Sequence, residues 1–301
     1  MKITATVLAV IAAVLITGCG GGSNSNEPPV TVEEQVGLDS REGMMELQSR
    51  VEAGIRDCMK GQGFEYTPLD PFAQQQAVTG KARISDVEFN KEFGYGITTL
   101  FGRGGRQSDP NDRTRKSLSA PDRAAYDRAL WGEFPNATFV EAADTGDFSE
   151  LGGCTKEATD GVFGGPDVLA TLVAKLDELD QRIVQDQRMV RATESWSACM
   201  ADKGYRYAES DAIDEDLLKR FKAIVGPGAR AMQTAPTDAS VSYDRAALAA
   251  LQREEVKVVN TDIECEKREI TPVEQTVRVQ YEREFRQQNR KLLARVRPVA
   301  Q

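Results

Sequence analysis

Cys58-Met59-Lys60-Gly61-Gln62-Gly63-Phe64-Glu65-Tyr66 and Cys199-Met200-Ala201-Asp202-Lys203-Gly204-Tyr205-Arg206-Tyr207 are two spellings of one pattern, Cys-Met-x-x-x-Gly-[Phe/Tyr]-x-Tyr. Each follows an apolar stripe at three- and four-residue spacing, the signature of a helix with one buried face. Upstream of Cys58 the stripe is Met44, Leu47, Val51 and Ile55. Upstream of Cys199 it is Leu169, Leu172, Leu176, Leu179, Ile183 and then Trp196. Gly63 and Gly204 stand where a helix stops, because glycine enters the left-handed cap conformation without strain. Phe64-x-Tyr66 and Tyr205-x-Tyr207 then alternate like a short strand folding back.

A second element recurs further along. Ser119-Ala120-Pro121-Asp122-Arg123-Ala124-Ala125-Tyr126 opens a helix with a cap residue and an acid three positions on. Ser242-Tyr243-Asp244-Arg245-Ala246-Ala247-Leu248 opens another, and a cysteine follows each, Cys154 and Cys265. The fold expected is mainly α: a helical domain of two divergent repeats, residues 41–165 and 166–301, forming one compact unit. Each repeat is expected to carry a short β element and a disulfide. Four cysteines allow three pairings. The order within the halves favours Cys58–Cys154 and Cys199–Cys265, and the alternative joins like to like, Cys58–Cys199 and Cys154–Cys265. A Cys₄ zinc site would use close Cys-x₂-Cys pairs, and the chain has none. In the last third, Asp214-Glu215-Asp216 opens a helix reaching Val225, and Tyr243 to Arg268 forms another. Thr271-Pro272-Val273-Glu274 reads as a capping box that begins the final helix, to about Arg297.

The fifth cysteine lies outside these halves. Lys2, the apolar run Ile3–Ile16 and Leu15-Ile16-Thr17-Gly18-Cys19 form a three-part N-terminus. The run is short of the roughly 20 residues of a spanning helix and suits a secretory signal. A small residue directly before a cysteine resembles the lipobox of bacterial lipoproteins. That resemblance implies cleavage of residues 1–18, lipid on Cys19, and a location on the extracytoplasmic face of the cell membrane. Residues 19–40, in which Gly20-Gly21-Gly22-Ser23-Asn24-Ser25-Asn26 follows Cys19, are expected to be a flexible tether.

Composition closes several chemistries. The 301 residues include no histidine, which removes Ser-His-Asp and Cys-His catalysis and histidine-ligated zinc or haem. A net charge of −9 disfavours general nucleic-acid binding. No set of residues points to a cofactor or a metal.

The motifs also occur in a joint order. Cys-Met-x-x-x-Gly-[Phe/Tyr], Phe93-Gly94-Tyr95-Gly96-Ile97, Arg123-Ala124-Ala125-Tyr126, Gly153-Cys154 and the Leu251-Gln252-Arg253-Glu254-Glu255 to Cys265 helix together resemble a family of exported actinobacterial proteins and lipoproteins. The resemblance spans most of the chain after Cys19. It implies a surface location and a disulfide framework, and it transfers no activity.

Candidate contacts remain. Phe101-Gly102-Arg103-Gly104-Gly105-Arg106 lacks the Lys-Ser/Thr of a phosphate loop. Arg103, Arg106, Arg113, Arg115 and Lys116 form a basic stretch that would suit anionic wall polymer or headgroups, against a plain reading as solvated loop. The last helix carries Arg278, Arg283, Arg286, Arg290, Lys291, Arg295 and Arg297 opposite Val273, Val277, Tyr281, Phe285 and Leu292. The aromatics Phe64, Tyr66, Tyr205 and Tyr207 suit either a ligand groove or the repeat cores. No pair of acids stands out for carboxylate catalysis, and an enzyme is not the favoured expectation. The function expected is binding or interaction at the bacterial envelope, with the membrane reached through Cys19 and an envelope protein or wall polymer as partner. A transporter's solute-binding lipoprotein is the alternative, and a carboxylate-dependent hydrolase comes third.

Overall fold

A computed structural model describes residues 30–103, 109–229 and 243–297. The expected signal segment, Cys19, the first part of the tether, Arg106 and the cap residue Ser242 lie outside the described residues. Fourteen helices follow in order within the described residues: α1 (Val32–Val36), α2 (Arg41–Gly61), α3 (Pro71–Thr79), α4 (Asp86–Phe93), α5 (Pro110–Ser117), α6 (Ala120–Trp131), α7 (Phe139–Thr145), α8 (Gly153–Phe163), α9 (Val168–Val184), α10 (Gln187–Asp202), α11 (Asp211–Val225), α12 (Arg245–Cys265), α13 (Thr271–Gln288) and α14 (Arg290–Leu293). A π-helical turn, Glu266–Ile270, joins α12 to α13. None of these helices is long and apolar enough to cross a membrane.

The two quoted stretches close their helices with the same backbone bonds. Phe64 N–H donates to the Met59 carbonyl and Tyr205 N–H to the Met200 carbonyl, both at 2.9 Å, and Gly63 and Gly204 have φ of +86° and +93°. The expected β elements are absent: no strand occurs among the described residues. After each turn the extended segment finds side-chain partners instead of a strand. The Tyr66 hydroxyl and the Leu69 N–H both donate to Glu52, at 2.9 and 3.0 Å, and the Ser197 hydroxyl donates to the Tyr207 carbonyl at 2.6 Å.

Both disulfides sit at helix ends. Cys58 near the end of α2 is bridged to Cys154 at the start of α8, with Cα atoms 5.5 Å apart. Cys199 on α10 is bridged to Cys265 at the end of α12, with Cα atoms 5.8 Å apart. Their settings differ. Cys154 opens a helix separate from the Asp-Arg-Ala-Ala helix α6, whereas Cys265 ends the Asp-Arg-Ala-Ala helix α12 itself. Helices α2 and α8 approach closely because Gly54 faces Ala158; a Cβ on Gly54 would stand 2.9 Å from the Ala158 Cβ.

The cores ignore the boundary at residue 165. One holds α2, α6 and α8 but also Leu169 of α9. Another holds α10, α11 and α12 with Phe101, whose ring lies 5.2 Å from that of Phe221 in an edge-on contact. A third joins α9 and α13 to Val32 and Val36. The tether therefore ends earlier than residue 40. Thr31 and Glu34 form a capping box, Val32 and Val36 are buried, and Glu33 pairs with Arg278 at 3.1 Å. A Thr followed three positions on by Glu starts a helix irrespective of the flexible composition before it. Arg278 also pairs with Asp180 at 2.9 Å and Glu274 at 3.0 Å, which ties α1, α9 and α13 together.

The capping box expected at Thr271 does not form. Ile270 and Thr271 stay helical, and Thr271 donates its N–H and its hydroxyl to the Glu266 carbonyl. Pro272 has no N–H and its ring crowds the carbonyl four residues back. The helix accommodates it by widening into a π turn rather than stopping.

Candidate functional site: an acidic cavity beside a wrapped loop

One polar stripe on α12 holds the loop Gly94–Phe101. Glu255 is 0% exposed. Its carboxylate accepts the backbone N–H groups of Ile97 at 2.8 Å, Thr98 at 2.8 Å and Thr99 at 3.2 Å, together with the Thr98 hydroxyl at 2.5 Å. Successive N–H groups converging on one anion make a nest. Gln252, one turn earlier, donates to the Thr98 carbonyl at 2.8 Å. Gly94 has φ +64°, and a Cβ there would meet the Glu255 Cγ at 2.8 Å, so the backbone passes where only glycine fits. Burial raises the Glu255 pKa, and the hydrogen bonds from Thr98, Ile97 and Thr99 oppose that rise.

Two turns further along, Asp262 is 1% exposed. It accepts the Tyr95 hydroxyl on one oxygen and the Trp196 indole N–H, at 2.8 Å, on the other. Three segments distant in sequence thus meet at one carboxylate: the loop after α4, α10 and α12. Burial raises the pKa of Asp262, with the two donors pulling it down, and pushes the Tyr95 hydroxyl strongly up.

Past Asp262 a cavity of about 170 Å³ opens, lined by Arg41, Asn90, Tyr95, Asp214, Asp262 and Glu266 among others. Asp214 comes from the first turns of α11 and Glu266 from the π turn. One Asp214 oxygen is buried without a hydrogen-bond partner. Burial, then the charges of Asp211, Asp262 and Glu255, push Asp214 up to about 7. Burial, then Asp262 and Glu274, push Glu266 up to about 8. Arg41 is the only cation among the described lining residues. Its guanidinium lies 3.6 Å over the Phe89 ring and 3.4 Å from Asp86, which is not one of the lining acids. Burial thus favours the protonated forms of Asp214 and Glu266. No group of three or more acids or cysteines among the described residues has metal-binding geometry.

Sequence reading missed this cavity. In the sequence, Glu255 stands out only as part of the Leu251 to Cys265 helix and Asp214 only as the opening of a helix, and Asp262 and Glu266 are not singled out. The quoted Phe93-Gly94-Tyr95-Gly96-Ile97 and Leu251 to Cys265 segments were singled out separately, and nothing in either says that they touch.

In the expected basic stretch, Arg106 lies outside the described residues and Arg103, Arg115 and Lys116 have partners. Arg115 is engaged by Asp127 through two hydrogen bonds, at 2.5 and 2.8 Å, and lies over Trp131. Lys116 pairs with Asp112 at 2.9 Å, and Arg103 lies over the Phe93 ring. Arg113 is exposed. The four aromatics are packed or tied rather than arrayed along a groove. Phe64 meets Tyr126 edge-on at 5.4 Å, Tyr205 packs on the α10–α12 core, Tyr66 is held by Glu52 and Tyr207 by Asp216 at 3.2 Å. The other depression described is a shallow open groove along α8, past Lys156, Asp160 and Gly164 to Arg297. Comparison with family models, with curated proteins and with solved structures finds no match to this chain.

Proposed function

We propose that this chain is a lipid-anchored interaction protein on the extracytoplasmic face of a bacterial cell membrane. It is built from two divergent copies of one helical unit, and the motifs it shares with the actinobacterial exported family make it a member of that group. The observation that carries the reading is the pair of intramolecular disulfides, Cys58–Cys154 and Cys199–Cys265, downstream of a lipobox at Cys19. Paired cysteines of this kind belong to oxidising compartments. They leave Cys19 as the one cysteine for lipid.

The surface supports interaction over solute capture. The cavity beside α12, at about 170 Å³, is below the roughly 300 Å³ at which small-molecule pockets begin, and the groove along α8, at about 530 Å³, is larger but wide open to solvent. Nor is there, among the described residues, the buried sheet that a two-lobed solute-binding protein is built around.

The test is metabolic labelling with an alkyne fatty acid in a bacterial host, followed by crosslinking of intact cells. Label on the parent and none on Cys19→Ala, with an envelope protein crosslinked to the parent, is the expected result. Equal label on both would remove the anchor. A protein recovered alone at native expression would remove the interaction role.

A further inference from the structure

Val30, just ahead of α1, lies against the basic end of α13. The Val30 carbonyl accepts a hydrogen bond from the Arg286 guanidinium at 2.7 Å, and Gln35 accepts another at 3.1 Å. From Arg283 to Arg297 the sequence carries six basic residues and one acid, Glu284, in a chain whose net charge is −9. Arg283, Arg290 and Lys291 are exposed and form no ion pair among the described residues. Arg283, Arg286 and Arg290 follow three- and four-residue spacing, and Lys291 is next to Arg290 in α14. Val277 and Phe285 are buried against α9, α10 and the valines of α1. Among the described residues Arg286 holds α1 in place, whereas Arg283, Arg290 and Lys291 form no ion pair.

We propose that the surface around Arg283, Arg290 and Lys291 lies flat on an anionic lipid bilayer and orients the anchored domain. The proposal rests on the anchor reading above. Eleven residues of chain separate Cys19 from Val30, a length that spans at most about 40 Å. The surface next to Val30 is therefore the surface of the domain closest along the chain to the anchor. Attraction between a basic patch and anionic headgroups decays within about 10 Å, so proximity decides which basic patch is used. The rest of the acidic domain is repelled by the same headgroups, which favours one orientation over tumbling on the tether.

The experiment reconstitutes the full lipidated chain on two kinds of vesicle, phosphatidylcholine alone and phosphatidylglycerol mixed with phosphatidylcholine. Flotation reports the anchor. A membrane-impermeant amine reagent with mass spectrometry reports the face, through Lys291. Lys222 on α11, exposed and part of a helix packed on a different core, is the reference. Flotation with both vesicles, with Lys291 modified about tenfold more slowly on the anionic ones, Lys222 unchanged, and high salt abolishing the difference, is expected. Replacing Arg283 and Arg290 by Gln should cost about fivefold of that preference per residue, up to its complete loss. Lys291 reacting equally on both vesicles while the protein floats would overturn the orienting face and leave the anchor intact. No flotation on phosphatidylcholine would overturn the anchor instead. Equal protection of Lys291 by soluble poly(glycerol phosphate) on uncharged vesicles would assign the face to wall polymer and overturn the lipid assignment.

Discussion

Glu255→Ala measures how much of the fold depends on a single carboxylate. In the folded protein that carboxylate accepts three backbone N–H groups and the Thr98 hydroxyl, and no part of it reaches solvent. Truncation leaves those donors without their acceptor. An orphaned buried donor costs about 1–3 kcal/mol. Three N–H groups at the low end cost about 3 kcal/mol, and the cavity left by the side chain adds to that. Some is recovered, because the parent spends energy burying a charge, as the raised pKa of Glu255 records. The net expectation is a loss of about 3 kcal/mol, a large part of the roughly 5–15 kcal/mol that holds a folded domain together. Urea unfolding followed by tryptophan fluorescence reads it directly, since Trp196 is in the core next to this loop. At a slope of about 3 kcal/mol/M the midpoint should fall by about 1 M. Glu254 is the control. It pairs with Arg220 at 2.5 Å, but both side chains are about 40% exposed, so Glu254→Ala should cost less than about 1 kcal/mol. A Glu255→Ala midpoint no lower than that of Glu254→Ala would refute the account of the wrapped loop.

Three further outcomes follow from the same geometry. Asp214 and Glu266 are held near 7 and 8 when folded, against ordinary values of 3.8 and 4.5. Between about pH 4 and pH 8 the folded protein therefore keeps protons that the unfolded chain has lost, and stability falls as pH rises through that window. Thermal melts at pH 5 and pH 8 should show the decline, and Asp214→Asn with Glu266→Gln should flatten it; an unchanged slope in the double variant would contradict the cavity's role. Graded reduction should open Cys58–Cys154 first, because Cys58 is half-buried whereas Cys199 and Cys265 are 3% and 0% exposed. Peptide mapping that found Cys58 joined to Cys199 would contradict both bridges. Gly164→Ala places a methyl against the Arg295 carbonyl at φ +101°, and should cost more than about 1 kcal/mol. Hydrogen exchange should quicken in residues 290–297, and unchanged exchange there would count against the docking of this segment on α8.

What the sequence alone determined was the helical class of the fold and the two helix ends at Gly63 and Gly204, while short helices such as α3, α4 and α8, and the break after Gln288, were not read from it. The stripe Leu169, Leu172, Leu176, Leu179 and Ile183 is buried throughout, and Gly63 and Gly204 occupy the left-handed turns that their spacing demanded. These are local matters, decided by side-chain periodicity and backbone freedom within a few residues. The tertiary structure decided the rest. A short extended segment becomes a strand only if another strand is beside it, and Phe64–Tyr66 finds Glu52 close by instead. Thr271-Pro272 caps a helix only if the preceding chain has left helical geometry, and here it widened into a π turn. Glu255, Asp262, Asp214 and Glu266 carry no local mark. Burial and long-range partners give each its character, and those exist only once the loop after α4 has been laid on α12. The basic residues of the last helix could be read in advance, but not their position beside Val30. Docking α1 onto α13 set that, through Arg278 and Arg286.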